Sequence, residues 1–239
     1  SDIWFCVFAS PITLRHPAVI AKNATTIDQM SGGRLDLGVG TGWMDHEHES
    51  FGIPFPDSSE RWARFEDALS YLDEAFADGR STYDGDFYSL DAEVKPKPTG
   101  LRIVLGGSGK KRTPTLAGRR ADEYNFFTCP PEEAKAKVDV MREAAAGREV
   151  EVTVMGPALV GKDESEYRSR LEEAAAKRGV AADDLEERWT KAGQLIGDSK
   201  RVNDQISALE DAGVERIYVQ WIDLDDMDGM KRTFEVITG

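Results

Sequence analysis

The 239-residue sequence predicts an α/β chain of the TIM, or (β/α)8, barrel class with about six of its eight βα units present. Two observations carry that expectation. Near-continuous apolar runs of strand length alternate six times with amphipathic helical segments, the pattern of a parallel sheet covered by helices. Several successive runs end in glycines and polar residues, whereas a doubly wound sheet would concentrate them at one crossover. A closed barrel needs eight strands. Two βα units are therefore expected ahead of Ser1 in a parent protein, and the chain reads as trimmed at its N-terminus. Residues 1–239 read as one domain with an insertion at about 79–100.

The elements follow in order. Residues 3 to 9, "IWFCVFA", are an apolar run of strand length. In "HPAVIAKNATTIDQMSGG", Val19, Ile20, Ala24, Ile27 and Met30 fall at helical spacing, and Gly32 and Gly33 suit a helix end. The strand "RLDLGVG" comes next, followed by the charge-dense loop "GTGWMDHEH". In "SERWARFEDALSYLDEAFADG", Trp62, Phe65, Leu69, Leu72 and Phe76 share a face, and Asp57 with Glu60 forms a capping box. The insertion turns in a hairpin around Asp84-Gly85. "LRIVLGG" is a strand, and "TPTLAGRRAD" a helix with Pro114 at its first position. "EYNFF" is a short strand and "PPEEAKAKVDVMREAAAG" a helix. "VEVTVMGPALVG" reads as one strand, and residues 163–196 as two helices. The helix "SKRVNDQISALEDAG", the strand "VERIYVQWI" and the helix "DGMKRTFEVI" close the chain.

The formal net charge of −14 and a pI near 4.7 argue against nucleic acid and anionic membrane surfaces. A cytoplasmic protein kept apart by self-repulsion is expected. No signal peptide and no apolar stretch of membrane-spanning length is present. Cys6 and Cys129 have neither metal spacing nor a partner framework. His46 and His48 stand two apart, not at the i, i+4 spacing of a helical zinc pair, so no metal is expected.

Four strand ends stand out: Ser10-Pro11, "GTGWMDHEH", "GGSGKKR" at 106–112 and "NFFTCPP" at 125–131. A glycine-rich turn that opens a helix is a natural anion site. Lys110 and Lys111 add charge there, but the GK[ST] of a P-loop is missing. Trp43 after Gly-Thr-Gly either packs a barrel end or lines a pocket for a flat ligand. No catalytic triad and no paired carboxylates stand out, so the residues alone name no reaction.

"HPAVIAKNATTIDQMSGGRLDLGVGTGW", "FGIPFP", "YDGDFYSL", "KPKP", "IVLGGSGKKRTPTLAGRRADEYN" and "DAGVERIYVQ", in that order, resemble the luciferase-like monooxygenase family of flavin and deazaflavin oxidoreductases. The Gly-Thr-Gly-Trp and "GGSGKKRTP" forms look most like its actinobacterial branch that uses coenzyme F420; other members use FMN. The resemblance implies hydride transfer between a deazaflavin and a small organic substrate. It leaves open FMN-dependent oxygenation, a non-catalytic flavin-binding barrel or a truncated inactive fragment. It implies a homodimer for the full-length parent. Gly40, Thr41, Gly42 and Trp43 would border the ring, and Gly106, Gly107, Ser108 and Gly109 would lie near the phosphate. Asn125 and Thr128 are further candidates for the cofactor's side chain, and Val7-Phe8 for a non-proline cis peptide under the ring. No proton donor carries over: some relatives have Glu where this chain has Trp43, and the early strand that bears acid/base groups is absent.

Overall fold

The computed structural model describes residues 2–221 and 224–238. Two compact units emerge, residues 1–106 with 120–123 and residues 107–119 with 124–239.

The first unit contains β1 (Phe5–Pro11), α1 (Pro17–Ser31), β2 (Leu35–Gly40), α2 (Asp45–Phe51), α3 (Ser58–Phe76), β3 (Ser81–Asp84), β4 (Ser89–Ala92) and β5 (Arg102–Gly106). Its main strands lie in the order β1-β2-β5, all parallel, with Phe5 opposite Leu35 and Asp36 opposite Arg102. The register between β1 and β2 slips between Val7 and Ser10. The non-proline cis peptide falls inside that slip, at Phe8-Ala9, one bond beyond the expected Val7-Phe8. Sequence spacing located the strand but not the slip, because only the pairing with β2 defines it.

Helix α1 starts at a His16 cap, whose Nδ1 accepts from the Ala18 N–H at 3.1 Å, and ends at Gly32 in the left-handed region. Its expected apolar face splits in two. Ile20 and Ala24 are buried, but Val19, Ile27 and Met30 point outward. The inward stripe instead includes two polar residues, Thr25 bonded within the helix and Asp28 bonded through one carboxylate oxygen to a residue far along the chain. Thr25 Oγ1 donates to the Ala21 carbonyl, and Asp28 accepts from the Thr99 N–H and hydroxyl. Lys22 and Gln29 donate to the carbonyls of Lys95 and Lys97, so α1 straps down the "KPKPT" stretch. Asp57 caps α3 by accepting from the Glu60 N–H, one half of the expected capping box, while the Glu60 carboxylate meets Arg64. The hairpin β3–β4 turns at Asp84-Gly85 as expected. Asp67 of α3 fixes it by accepting from the Tyr83 hydroxyl and the N–H groups of Phe87 and Tyr88.

The second unit contains α4 (Arg112–Arg120), β6 (Glu123–Phe127), α5 (Pro131–Ala145), β7 (Glu151–Gly156), β8 (Ala158–Gly161), α6 (Glu164–Arg178), α7 (Ala182–Lys191), β9 (Leu195–Asp198), α8 (Ser199–Asp211), β10 (Arg216–Val219) and α9 (Met227–Thr238), with the ends of α4 and β6 shared with the first. Strand order is β6-β7-β10, with Arg216 opposite Thr153 in a parallel pair. Helix α4 begins at Arg112, so Pro114 is its third residue; a proline still fits there because first-turn N–H groups need no helical partner. The expected single strand 150–161 breaks at Pro157, which has no N–H to give a ladder. Its second half, β8, pairs instead with β9, in parallel. Strand β9 lies where helix was expected. Leu195 and Ile196 are buried, and Asp198 caps α8 through the Arg201 N–H. Leu159, Tyr167, Leu171, Ala175, Leu185 and Ile196 form the core of this end; each large side chain among them contributes about 1.5–3 kcal/mol by its burial. The expected last strand ends at Val219, and Ile222 lies outside the described residues. Among the described residues no helix is long and apolar enough to cross a membrane.

Candidate active site

In the first unit the strand ends of β1 and β2 lie side by side, Pro11 opposite Gly40. The three glycines of this stretch have three different reasons. A Cβ on Gly38 would stand 2.0 Å from the Val7 carbonyl oxygen, so Gly38 is required by the neighbouring strand and not by a ligand. Gly42 has φ +78, and a Cβ there would meet Thr13 Oγ1 at 2.5 Å. Around Gly40 the nearest atom to an added Cβ is Ala9 Cβ at 3.9 Å. Gly40 alone leaves its side-chain space unclaimed by the protein, and Thr41 next to it is half-buried.

The loop after Gly42 is shorter than the sequence suggests. Asp45–Phe51 is a helix, not a solvated loop, closed by Gly52 in the left-handed region. Acidic residues in its first turn complement the helix dipole. His48 is buried beneath it, and both ring nitrogens are engaged: Nδ1 with the Met44 carbonyl at 2.8 Å, Nε2 with Thr13 Oγ1 at 2.8 Å. A carbonyl can only accept, so Nδ1 carries the proton and the Thr13 hydroxyl donates to Nε2 in the neutral ring. The His48 ring also packs on Phe55, with centroids 4.5 Å apart. His48 is thus a structural post beneath the Gly-Thr-Gly turn. Trp43 beside it is 81% exposed and does not pack the strand ends. His16 is an N-cap that meets Tyr71 and Tyr88 edge-on. Ser10 is buried and accepts from Arg15 Nη1.

In the second unit the turn 107–111 leads into α4. Gly107 has φ +151, and Cβ atoms on Gly107 or Gly109 would both crowd Thr113, at 3.1 and 3.0 Å. The Gly107 N–H is spent on the Asn125 carbonyl at 3.0 Å, and its own carbonyl accepts from Tyr124. Burial pushes the Tyr124 phenol far up, so it stays a donor. Among the described residues the N–H groups of Ser108 and Gly109 have no acceptor within the chain. They stand beside exposed Lys110 and Lys111, as an anion cradle requires.

Asn125 and Thr128 are both buried in this unit. Asn125 Nδ2 donates to Thr153 Oγ1 at 2.8 Å, tying β6 to β7. Thr128 Oγ1 donates to Gln194 Oε1 at 2.7 Å. Gln194 was not singled out from sequence, since it lay within an expected helix. The glycines flanking "QLI" were the available signal. Gly193 has φ +67, and a Cβ on it would stand 2.3 Å from the Cys129 carbonyl carbon. Beyond Thr128, Cys129 touches the buried Lys137, whose ammonium also meets Glu133. Burial pushes the Cys129 thiol pKa up, while Lys137 draws it back. The residues singled out from the sequence divide between the two units: Val7, Phe8, Gly40–Trp43 and Gly106 belong to the first, Gly107–Gly109, Asn125 and Thr128 to the second.

Comparison with known proteins places the whole chain. The chain is 30% identical over 235 residues to an FMNH(2)-dependent dimethylsulfone monooxygenase of Pseudomonas putida, covering 84% of this chain and 64% of that protein. It is 38% identical over 117 residues to an F420-dependent glucose-6-phosphate dehydrogenase of Microbacterium testaceum, covering 48% of this chain and 34% of the relative. An F420-dependent secondary alcohol dehydrogenase, solved with an F420-acetone adduct, superimposes over 100% of this chain and 79% of its own with TM-score 0.80 at 20% identity, a likeness of fold. The model of the family described as luciferase-like monooxygenase matches residues 1–221. Alternating strands and helices, glycine-marked strand ends and that match agree: the chain belongs to the luciferase-like monooxygenase family.

Proposed function

We propose that this protein is an oxidoreductase that holds a reduced flavin or deazaflavin against a small organic substrate. The observation that carries the reading is the unclaimed space at Gly40, at a strand end where both neighbouring glycines are spent on the protein itself. A flat ring fits against backbone that has no side chain in the way. When bound, such a cofactor supplies the hydride or electron pair, and the protein supplies position.

The chain's own residues then have distinct tasks. Gly40 and Thr41 give the ring its approach. Trp43, exposed beside them, borders the ring or the substrate. Val7 and Phe8 lie at the register slip beneath Gly38. In the second unit, Ser108 and Gly109 N–H groups donate to a phosphate, with Lys110 and Lys111 adding charge. Thr128, aimed by Gln194, and Asn125 hold the polar side chain of the cofactor. No residue is assigned the proton transfer. Among the described residues, the parallel strands β1-β2-β5 of the first unit and β6-β7-β10 of the second support the barrel class that goes with this reading.

Coenzyme F420 is the first reading, supported by the 38% identity to F420-dependent relatives. FMN is the second, supported by an FMNH(2)-dependent relative matched over 84% of this chain. The chain spans 64% of that relative, so the test belongs on the longest natural form as well as on residues 1–239. Fluorescence titration with F420 and FMN in parallel separates the two. Tighter FMN binding replaces the first reading with the second. Binding of neither, with binding of a sugar phosphate, overturns both.

A further inference from the structure

We propose that Cys129 and Lys137 form a redox-responsive covalent cross-link, an S–O–N bridge from thiol sulfur to ε-amino nitrogen. Lys137 Nζ lies 3.6 Å from Cys129 Sγ. Both side chains are buried, at 2% and 8% exposure. A lysine buried to that degree is uncommon. Its ammonium has three neighbours here: the Glu133 carboxylate, the Cys129 sulfur and the Phe126 ring, whose centroid is 5.4 Å away. Helix α5 therefore holds an amine against a thiol at near-contact distance, with a carboxylate beside them to take a proton.

An oxidant can reach the pair. Cys129 stands on the wall of a cleft of about 490 Å³ in the second unit, with Pro130, Pro131, Gly193, Gln194 and Arg201. That volume admits dioxygen or hydrogen peroxide easily, since one water occupies about 30 Å³. With dioxygen as oxidant the reaction is Cys–SH + Lys–NH3+ + O2 → Cys–S–O–NH–Lys + H2O + H+. One S–H and two N–H bonds break, one of the latter as the released proton; the O–O bond is cleaved, S–O and O–N bonds form, and the second oxygen leaves as water. Sulfur and nitrogen each give up two electrons, and dioxygen takes four. With peroxide, two molecules are consumed and three waters form. The released proton passes to Glu133 or to solvent. The bridge ties α5 to the end of β6, one residue beyond Thr128.

A structural role for the pair makes a different prediction, because a merely packed lysine and thiol form no covalent link on oxidation. The test is peptide mapping of the full chain after exposure to hydrogen peroxide, digested with trypsin without reductant. The expected product joins Ala121–Lys135 to Ala136–Arg142, with one oxygen gained and two hydrogens lost relative to the two peptides. Lys137 is then no longer cleaved. Dithiothreitol restores the free peptides, the cross-link persists in Cys6→Ser, and it is lost in Cys129→Ser. The proposal is overturned if oxidation stops at a sulfinic or sulfonic acid on Cys129 with Lys137 still cleaved. A Cys6–Cys129 disulfide, or an unmodified Cys129 in protein whose Cys6 is oxidised, overturns it equally.

Discussion

His48 Nε2 lies 2.8 Å from the hydroxyl of Thr13, and that hydroxyl occupies the space a side chain on Gly42 would need. The pair fixes the turn that presents Trp43. His48→Phe keeps a ring against Phe55 but leaves the Met44 carbonyl and Thr13 hydroxyl without it. The expected loss is about 1–3 kcal/mol of stability, the usual range for stranded buried polar groups. Urea denaturation measures it, and the emission of Trp43 against a Trp43→Phe control reports whether the turn has loosened. An unchanged midpoint would show that the Thr13–His48 bond does not hold the turn.

Gly38→Ala and Gly40→Ala separate fold from ligand. At Gly38 a methyl collides with the Val7 carbonyl, and the forced shift costs on the order of 1–3 kcal/mol. At Gly40 it meets only Ala9 at 3.9 Å, so the melting temperature is expected to hold. Cofactor affinity at Gly40→Ala should fall about tenfold, or about 1.4 kcal/mol. Wild-type affinity in Gly40→Ala would remove the ring from this strand end.

A carboxylate in the turn 107–111 tests the phosphate cradle, and its placement matters. Gly107→Asp is a poor choice, because φ +151 and Thr113 at 3.1 Å strain any side chain there. Ser108 is exposed and carries no such constraint. Ser108→Asp is expected to weaken cofactor binding at least tenfold at low salt and less at high salt, since exposed charges are screened. Binding that ignores both the substitution and the salt would mark the turn as structural.

Glu186 supplies a pH signature. Its burial works against ionisation, but hydrogen bonds from Arg201 and Tyr167 and the Arg168 charge win, and its pKa is held below the ordinary 4.5. A depressed carboxylate pKa stabilises the fold fully above its unfolded value, and this contribution is lost as pH falls through the folded value. Glu186→Gln should therefore cost about 1–3 kcal/mol at pH 7, with the gap to wild type closing below about pH 4.5. Thermal melts from pH 7 to pH 3 give the comparison; a gap that stays constant across that range contradicts the assignment.

Much of the architecture was legible because strands and helices here have clean periodicity and clear punctuation. Asp57 with Glu60, His16-Pro17 and Asp84-Gly85 mark boundaries by local chemistry, and the structure keeps all three. What escaped depends on partners distant in sequence. Strand β9 is four residues long and makes sense only beside β8. The outward Val19, Ile27 and Met30 mislead because the inward face of α1 uses Thr25 and Asp28, and Thr99, the partner of Asp28, lies 71 residues away on no helical wheel of α1. At the site, the glycines were visible but their reasons were not. Gly38 answers to Val7, Gly42 to Thr13 and Gly109 to Thr113, all set by packing. Gln194 stayed hidden because its meaning is a bond to Thr128.

The strap between α1 and the "KPKPT" stretch joins residues 68 to 73 positions apart in the chain. A stretch with two prolines and no regular structure ordinarily exchanges its amides early, through small local openings. Here Thr99 gives its amide to a carboxylate on the buried face of a helix, so releasing it means lifting that segment off α1. The amide of Thr99 should thus exchange with the slow protons of α1 and not with the surface turns. A loop in outline, the segment is kinetically a member of the helix it crosses, and it widens the cooperative unit from which β2 and its strand end emerge.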